Sequence, residues 1–516
     1  MYKLGIDVGG TNTDAVVIDE ALRVVAAVKH PTSEDIYAGI IGAVDAVLRE
    51  SGVDPEEVGQ AMLGTTQCTN AIVERKGLAP IAVLRVGAPA SVGIPPMVDW
   101  ADDIAAICVG KTIIEGGFEY DGRRLAAFDE DACRAFFESV VGKVEAVAIS
   151  CVFSTVRNDD EMRAAEVARE VLGSDVHVSL SSEIGSMGLI ERENATILNA
   201  ALCQVAKRFT EGFAQSLFDK GLVNAEVYLS QNDGTLMTME DARRYPILTI
   251  ACGPTNSIRG ASYLTHRDDA IVIDVGGTTT DLGVLSRGFP RESGVAVVIG
   301  GVRTNFRMPD VISMGLGGGS IVRQTDDGGI TVGPDSVGYA ITAEALVFGG
   351  FTLTATDVAV RLGMADVGDA SLVAAVPLDV AERAMAEIRA LAEDAIDIMK
   401  VSRDDMDVVL VGGGAGILPQ DLAGTAQVMA PRHASCANAI GSAISKVSGT
   451  YDALVDYDVT PREEALAEAR AAATAAAVEA GAVRDTVAIV DVEDVPLAYY
   501  PGHTNRVKAK AAGDLV

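Results

Sequence analysis

The sequence predicts an α/β fold made of two related halves, and three observations support that class. Segments with strand-like and helix-like hydrophobic periodicity alternate along the chain. A motif of an apolar strand, an aspartate and a Gly-Gly turn, IDVGGTNTD, begins at Ile6 and recurs as IDVGGTTTD at Ile273, an offset of 267 positions (273 − 6). The length of 516 residues exceeds what one hydrophobic core usually supports, so roughly two to four domains are expected.

The composition narrows the class of protein. The formal net charge of −32 argues against nucleic acid or an anionic membrane as the main partner, since both need basic patches. The seven cysteines are widely spread and no CxxC pair occurs, which argues against a disulfide framework or a zinc site. The chain opens with a strand-like segment and holds no run of about 18 apolar residues, so neither a signal peptide nor a membrane span is expected. These features predict a cytoplasmic protein.

The first half begins as a meander of three strands up to about residue 30. A periodic segment then predicts a helix that ends at Gly52. The stretch AMLGTTQCTNAIVERKG predicts a strand, a polar turn and a helix that opens near Thr66–Thr69. Two strand-like runs flank a helix predicted at about Asp159–Leu172, which together give a β-α-β unit.

The second half repeats the strand-and-turn pattern and closes with a helix. A periodic stretch from Glu191 to about Lys220 predicts one or two helices that link the halves. Thr460 and Glu463 form a capping-box pattern, so a helix is predicted from there to Gly481, followed by a strand-like tail. We therefore expect an N-terminal domain at 1–190, a second domain at 191–450 and a short C-terminal helix-strand extension at 451–516.

The repeated motif has the composition of an anion-binding turn. Its glycines let the backbone approach a ligand, and free N–H groups with the Thr11 and Thr13 hydroxyls would surround an anion without a basic side chain. Asp7, at the strand end, is placed to hold a hydrated Mg²⁺, which prefers one or two carboxylates beside phosphate oxygens. One Gly-Gly turn after a strand is more often a plain hairpin, but two copies with matched aspartates favour paired cradles around a nucleotide's phosphates. Neither the P-loop nor the GxGxxG pattern is present.

A third strand-to-glycine segment, VVLVGGGAG, carries Gly412, Gly413 and Gly414. A glycine turn permits close approach to an adenine or ribose, and a loop turned for packing is the alternative interpretation. The order of two phosphate turns followed by a nucleoside turn resembles the superfamily of actin, Hsp70 and sugar kinases. This resemblance implies two actin-like (ribonuclease H-like) domains around a nucleotide cleft.

A narrower resemblance extends from residue 1 to about residue 450. The segments GTTQCTNAIVERKG, SLSSEIGSMGLIERENATILNA, SQNDGTL, DVGGTTTD, MGLGGGSI and LTATDVAVRLG are similar, in that order, to segments of the hydantoinase A/5-oxoprolinase family. The resemblance implies ATP and Mg²⁺ as cofactors, a small cyclic amide or other carbonyl compound as substrate, and a second enzyme subunit in a hetero-oligomer. It also implies transfer of the ATP γ-phosphoryl group to the carbonyl oxygen, followed by hydrolysis or carboxylation.

The same resemblance assigns roles to residues of the motifs. Asp7, Asp14, Asp274 and Asp281 are the catalytic candidates, and Asp7 or Asp274 would hold Mg²⁺ through water. The candidates for nucleotide contact are Gly9, Gly10, Thr11, Asn12, Thr13, Gly276, Gly277, Thr278, Thr279, Thr280, Gly317, Gly318, Gly319, Gly412, Gly413 and Gly414. Which aspartate orients the accepting group stays open at this point.

The chain departs from the family pattern at a loop that precedes the second motif. The family's SGPAGG is CGPTNS here, so Cys252 replaces the serine and Asn256 and Ser257 replace two glycines. Side chains therefore stand where a bare backbone would approach a ligand, which bears on nucleotide affinity. Cys252 is interpreted as a buried thiol in the serine's place, with a reactive thiol as the alternative. The chain also has only a short C-terminal tail, as in the short branch of the family.

Two polar clusters and two further functions stay open. Gly64, Thr65 and Thr66 lie either on a cleft-facing loop or at a helix cap, and Glu191 and Arg192 line either a binding surface or a solvated helix face. The favoured function is an ATP-dependent hydrolase subunit that acts on cyclic amides. A nucleotide-switched regulatory or assembly protein of actin-like fold and a small-molecule kinase are the alternatives.

Overall fold

The two copies of the aspartate–glycine motif form equivalent hairpins in the computed structural model of the chain. The structure describes residues 1–9, 12–31, 36–185, 187–293, 296–306, 308–326, 328–497 and 502–515. Within these ranges the strands are β1 (Tyr2–Val8), β2 (Asn12–Ile18), β3 (Val24–Pro31), β4 (Val58–Thr65), β5 (Ile81–Ala88), β6 (Cys108–Glu115), β7 (Ala146–Cys151), β8 (His177–Leu180), β9 (Glu226–Ser230), β10 (Leu236–Thr238), β11 (Ala270–Val275), β12 (Thr280–Ser286), β13 (Phe289–Pro290), β14 (Val297–Ile299), β15 (Val302–Thr304), β16 (Val311–Met314), β17 (Ser320–Gln324), β18 (Ile330–Ser336), β19 (Met406–Val411), β20 (Thr425–Met429), β21 (Val447–Asp456), β22 (Ala488–Pro496) and β23 (Thr504–Gly513). The α-helices in the same ranges are α1 (Ile36–Ser51), α2 (Gln67–Glu74), α3 (Asp102–Ala105), α4 (Glu130–Ser139), α5 (Asp159–Leu172), α6 (Ser181–Ile184), α7 (Leu189–Ala201), α8 (Cys203–Asp219), α9 (Met239–Arg244), α10 (Cys252–Thr265), α11 (Ile341–Glu344), α12 (Ala355–Arg361), α13 (Leu378–Met399), α14 (Ala437–Ile444) and α15 (Arg462–Glu479).

The first hairpin belongs to a nine-stranded sheet with the order β22-β23-β21-β10-β9-β4-β1-β2-β3. Strand β1 pairs antiparallel with β2, which places Asp7 opposite Asp14, and parallel with β4 on its other side. The sheet draws strands from all three predicted segments, because β9, β10 and the C-terminal strands β21 to β23 join the N-terminal meander. The division of the chain at 1–190, 191–450 and 451–516 stays a prediction.

The second hairpin belongs to a six-stranded sheet with the order β13-β12-β11-β19-β20, to which β16 adds beside β12. Strand β11 pairs antiparallel with β12, which places Asp274 opposite Asp281, and parallel with β19. Both sheets therefore contain the same unit, a hairpin with a matched aspartate pair and a parallel strand beside its first strand. This repeat confirms the predicted α/β class with two related halves.

A third sheet, four-stranded and parallel, has the order β6-β5-β7-β8. Strands β7 and β8 lie side by side and are connected through α5, which confirms the predicted β-α-β unit. A buried polar network around Arg192 and Glu193 lies at the carboxyl ends of its strands.

Helices α10 and α14 pack against each other between the two hairpin-bearing sheets. Helix α14 contacts β1, β2 and β4, and α10 contacts β11, β12 and β19. The helices approach closely because glycine has no side chain: a Cβ on Gly260 would overlap the carbonyl oxygen of Ala437, and one on Gly441 would overlap that of Asn256. The end of each hairpin therefore lies against one member of the same helix pair.

The predicted helices are confirmed, with one correction at a helix start. Helix α1 ends at Ser51, before Gly52 in a left-handed conformation (φ +67°), and the 191–220 stretch forms α7 and α8. The capping box predicted for α15 is wrong, because the extended Pro461 (φ −53°, ψ 141°) takes the N-cap position and no side chain caps the helix. Thr460 lies one residue too far upstream for its hydroxyl to cap the first turn.

Two further properties concern the chain as a whole. Across the described ranges, no helix is long and apolar enough to cross a membrane. All seven cysteines are free thiols, of which six are buried and Cys108 is partly exposed.

Candidate functional site

Two of the predicted aspartates, one from each hairpin, meet at the helix pair between the sheets. The amide Nδ2 of Asn438, on α14, donates to Asp7 Oδ2 at 3.2 Å. The hydroxyl of Ser257, on α10, donates to Asp274 Oδ2 at 2.5 Å, and it also contacts Asn438 Oδ1. A continuous polar chain thus runs from the carboxylate at the end of β1 to the carboxylate at the end of β11.

The environment of these carboxylates raises their pKa values. Burial raises the pKa of Asp7 to about 7, and the charges of Asp14 and Asp274 add to the shift. Burial also raises the pKa of Asp14 and of Asp274, against the opposing effects of Lys29 and of the Ser257 hydrogen bond respectively. The site therefore holds desolvated carboxylates that a cation would stabilise in their charged form.

The fourth aspartate, Asp281, lies on β12 opposite Asp274 of β11 and has its own partner. The hydroxyl of Ser313, on the neighbouring β16, contacts its Oδ1. Burial raises the pKa of Asp281 to about 6, while the Ser313 hydrogen bond opposes the rise. The structure thus places all four predicted aspartates at the hairpin ends but gives each a different set of neighbours.

Lys29 is a basic residue of the site that the sequence pattern did not single out. It lies opposite Asp14 in the β2–β3 pairing, and its Nζ is 2.6 Å and 2.8 Å from the two Asp14 carboxylate oxygens. Its side chain is 31% exposed. A Cβ built on Gly413 would lie 3.8 Å from Lys29 Nζ, so the lysine faces the glycine turn that follows β19. The predicted meander of strands contained a signal for this residue. Pairing the second strand with the third in the register that the structure shows places Lys29 opposite Asp14.

The two hairpin turns have matching backbone geometry. Gly9 N–H donates to the Asn12 carbonyl at 3.0 Å, and Gly276 N–H donates to the Thr279 carbonyl at 2.9 Å. Gly10 and Thr11 lie outside the described residues. In the second turn, Thr278 and Thr279 are exposed, while Thr280 is buried.

Several of the predicted nucleotide-contact residues bond within the protein. The Thr280 hydroxyl donates to the Leu316 carbonyl at 2.6 Å, and Thr13 is likewise buried. Gly318 N–H and Gly319 N–H donate to the carbonyls of Gly276 and Gly277 at 3.0 Å and 2.7 Å. Contact of these residues with a nucleotide stays a prediction. In the structure, the hydrogen bonds of Thr280, Gly318 and Gly319 hold the second hairpin in its shape.

The remaining glycines support the same turn from another side. A Cβ on Gly317 would lie 2.7 Å from the Thr278 nitrogen, and one on Gly414 would lie 2.7 Å from the Gly276 carbonyl oxygen. Gly412 has φ +87° and a Cβ there would overlap Asp274 Oδ1. Gly317, Gly412 and Gly414 are therefore required for close packing around the second hairpin, and contact of these glycines with a nucleotide stays a prediction.

The altered CGPTNS loop forms the start of α10. Cys252 is buried, its sulfur accepts from Thr65 N–H at 3.4 Å and donates to the Thr65 carbonyl at 3.3 Å, and burial raises the pKa of the thiol to about 12. This confirms the interpretation of Cys252 as a buried, unreactive thiol. Its partner Thr65 and the adjacent Gly64 are the last two residues of β4 and are buried.

Asn256 is the unusual member of that loop. It is fully buried, and neither its amide nitrogen nor its amide oxygen has a hydrogen-bond partner among the described residues. A Cβ on Gly64 would lie 2.5 Å from Asp7 Oδ1 and 2.6 Å from Asn256 Nδ2, so Asn256 and Asp7 flank the same glycine. Unsatisfied buried amides indicate a bound water or ion in the functional state.

The residues around Asp7 and Asp274 fit a hydrated Mg²⁺ ion. In the ranges that the structure covers, no three or more His, Cys, Asp or Glu side chains form a metal-binding group. Mg²⁺ keeps several waters and needs only one or two carboxylates when phosphate oxygens complete its shell. Two carboxylates with raised pKa values and an unpaired amide oxygen on Asn256 supply oxygen donors of this kind.

The segment around Arg192 belongs to the protein interior and not to a solvated helix face. Arg192 is 2% exposed, and it donates to Ser181 Oγ at 3.0 Å and to the Cys151 carbonyl at 2.8 Å. Its neighbour Glu193 accepts two hydrogen bonds from Arg85 at 2.7 Å and 2.5 Å. The network joins α7 to the carboxyl ends of β5, β7 and β8.

Comparison with known proteins agrees with this architecture. A sequence model described as the hydantoinase/oxoprolinase N-terminal region matches residues 3–172, and one described as hydantoinase/oxoprolinase matches residues 192–369. The two matches cover more than half of the chain. The protein therefore belongs to the hydantoinase/oxoprolinase family.

Curated relatives and a solved structure place the chain within that family. It is 28% identical over 385 residues to caprolactamase subunit alpha of Pseudomonas jessenii, covering 70% of this chain and 54% of that one. It is 26% identical over 393 residues to the acetophenone carboxylase gamma subunit of Aromatoleum aromaticum, covering 70% and 53%. The crystal structure of the ATP-dependent caprolactamase from Pseudomonas jessenii superposes with a TM-score of 0.79 at 20% identity, over 100% of this chain and 88% of that one, which shows a shared fold. The chain spans about half the length of these curated relatives.

Proposed function

We propose that this chain is the ATP-dependent subunit of a hydantoinase/oxoprolinase-type hydrolase, which activates the carbonyl group of a small cyclic amide or imide. The observation that carries the proposal is the pair of equivalent hairpins whose carboxylates, Asp7 and Asp274, are joined through Asn438 and Ser257. Two matched turns on either side of one polar junction suit a ligand with several phosphates and a bound cation. The named activities of the relatives, which include an ATP-dependent caprolactamase, support the same chemistry.

The proposed chemistry overcomes the low reactivity of an amide carbonyl group towards water. The carbonyl oxygen forms a bond to the γ-phosphorus as the bond from that phosphorus to the β–γ bridging oxygen breaks, and the electron pair leaves with ADP. The carbon of the resulting phosphorylated amide is a better electrophile, so a first water adds to it and the ring nitrogen leaves as the amine, which opens the ring and gives an acyl phosphate. A second water hydrolyses the acyl phosphate to a carboxylate and phosphate. One ATP and two waters are consumed for each ring, and the products are an open-chain amino acid, ADP and phosphate.

In this proposal the residues of the site have different roles. Asp7 and Asp274 would hold Mg²⁺ through water, and the ion would neutralise phosphate charge as the terminal phosphoryl group transfers. Asp14 forms an ion pair with Lys29, and Asp281 accepts a hydrogen bond from Ser313. These two carboxylates are therefore less suited to hold the metal ion. The Asn438–Ser257 link would fix the separation of the two metal-holding carboxylates.

A second subunit, hetero-oligomeric assembly and a cytoplasmic location are further parts of the proposal. The relatives are named as an alpha and a gamma subunit, which supports a partner for this chain as well. In such an arrangement the present chain would activate the carbonyl, and the partner would complete hydrolysis.

The proposal is tested by measuring phosphate and ADP release from MgATP in the presence of a panel of lactams, hydantoins and 5-oxoproline, with and without candidate partner subunits. We expect at least one cyclic amide to stimulate ADP release. Nucleotide binding without stimulation by any amide or ketone would instead favour the assembly-protein alternative. Release of a stable phosphorylated compound to solution would favour the kinase alternative.

A further inference from the structure

Lys29 lies between the two sheets that carry the hairpins. It projects from β3, beside the first hairpin, and binds Asp14 through both carboxylate oxygens at 2.6 Å and 2.8 Å. Its ammonium faces the turn at Gly413, which follows β19 of the second sheet, with 3.8 Å between Nζ and a Cβ built on that glycine. The side chain is 31% exposed, so part of it is open to solvent.

Lys29 supplies positive charge among the carboxylates of both hairpins. Lys29 lowers the pKa values of Asp7, Asp14 and Asp274, so its positive charge acts on carboxylates of both hairpins. A nucleotide triphosphate brings further negative charge into a site that already holds these aspartates. Backbone N–H groups and one divalent cation can offset part of this charge, and a lysine beside the turn supplies a further compact positive charge.

We propose that Lys29 is a phosphate-binding residue, whose ammonium contacts the terminal phosphate of the nucleotide while Asp14 keeps it oriented. The inference rests on the proposed ATP-dependent function and adds a named residue to it. Asp14 then acts as a positioning residue for Lys29, which explains why the two residues face each other across the β2–β3 pairing. A purely structural role, in which Lys29 only neutralises Asp14, is the competing explanation.

The two explanations differ in how they depend on the third phosphate. A lysine that contacts the terminal phosphate contributes to ATP affinity and little to ADP affinity. A lysine that only stabilises Asp14 affects both nucleotides alike, and removal of the Asp14 charge should then compensate for its loss. The ratio of ATP to ADP affinity is therefore the quantity to measure.

The experiment is calorimetric titration of MgATP and MgADP into the full chain, its Lys29→Met and Lys29→Arg variants, and the double variant Asp14→Asn/Lys29→Met. Lys76→Met is the matched control, because Lys76 is 78% exposed and pairs with Glu74 on the surface. We expect Lys29→Met to weaken ATP binding by about tenfold or more and ADP binding by less than about threefold, as for loss of one charge-assisted contact. Lys29→Arg should recover part of the loss, and the double variant should stay as weak as Lys29→Met.

Two results would overturn the assignment. Equal losses for ATP and ADP, or recovery of ATP affinity in the double variant, would show that Lys29 only neutralises Asp14. Failure of the unaltered chain to bind either nucleotide would overturn the proposed function itself and the assignment with it, and this outcome is visible before any variant is made. Thermal unfolding of each variant is recorded first, and Lys29→Gln replaces Lys29→Met should the latter not fold.

Discussion

Asp7 and Asp274 occupy equivalent positions in two hairpins, and a bridge of two side chains from neighbouring helices joins them. Asn438 donates to Asp7, Ser257 donates to Asp274, and the two bridging side chains contact each other. A chain of polar contacts therefore links the two hairpins, and a ligand between them would meet both carboxylates.

The first prediction concerns nucleotide binding by these two residues. Asp7→Asn and Asp274→Asn should each weaken MgATP binding by about tenfold or more, because each removes a charge from the predicted cation site. Both variants should keep the fold, since the amide replaces a carboxylate that burial already destabilises. Calorimetric titration of MgATP and of Mn²⁺ measures the effect. Asp404→Asn, on an exposed surface, serves as control, and wild-type affinity in both cleft variants would contradict the metal role.

The second prediction is a dependence of stability on pH. The pKa of Asp7 is about 7 in the folded protein against an ordinary value of 3.8, so between about pH 4 and 7 the folded state binds more protons than the unfolded state. The free energy of unfolding should therefore fall as pH rises through this window, with a slope of up to about 1.4 kcal/mol per pH unit from this one group. Urea unfolding at several pH values measures the slope.

The matched comparison for this pH dependence is the Asp7→Asn variant. It cannot release a proton at that position, so its free energy of unfolding should change less steeply over the same window. Saturating Mg²⁺ should flatten the slope of the unaltered protein, because a bound cation favours the charged carboxylate. Identical slopes for both proteins in the absence of metal would show that Asp7 does not titrate in this range.

The hairpins could be predicted from the sequence because their signals are local. A strand, a Gly-Gly turn and two aspartates lie within nine consecutive residues of each copy, and the structure forms a hairpin from each. The helix α5 was likewise readable from its own periodicity. The offset between the copies predicted two related halves, whereas the cross-strand pairs of Asp7 with Asp14 and of Asp274 with Asp281 came from the structure alone.

The contacts between distant segments could not be read in the same way. Asn438 is one of two polar residues, with Ser442, in a short alanine-rich helix, and its bond to Asp7 spans 431 positions. The C-terminal strands join the N-terminal sheet, although nothing in their pattern names a neighbour. Arg192 was placed on a surface or a solvated face because charged residues usually lie there, and the structure buries it. Tertiary packing decides each of these cases.

The third prediction concerns the unpaired amide of Asn256. Asn256→Leu keeps the branched shape and the number of heavy atoms of the side chain and removes two unsatisfied buried polar atoms, so it should raise the free energy of unfolding of the metal-free protein by about 1–3 kcal/mol. The same change should remove part of the stabilisation that Mg²⁺ and ATP provide together, because the amide oxygen can no longer contact the ion or its water. Thermal unfolding with and without MgATP measures both effects. Asn224→Leu, on the surface, is the control, and a destabilised metal-free Asn256→Leu protein would contradict the prediction.

The fourth prediction concerns the buried ion pair between Arg85 and Glu193, whose side chains are 0% and 1% exposed. Arg85→Met should lower the free energy of unfolding by about 3–5 kcal/mol, because it leaves the Glu193 carboxylate buried with Ser150 as its remaining neutral donor. Adding Glu193→Leu should recover part of the loss, since the uncompensated charge is then absent. The exposed pair of Arg323 and Asp335 provides the control, where Arg323→Met should change stability by less than about 1 kcal/mol. Urea unfolding of the four proteins measures these differences, and a loss at Arg85 as small as that at Arg323 would mean that the buried charge finds another partner.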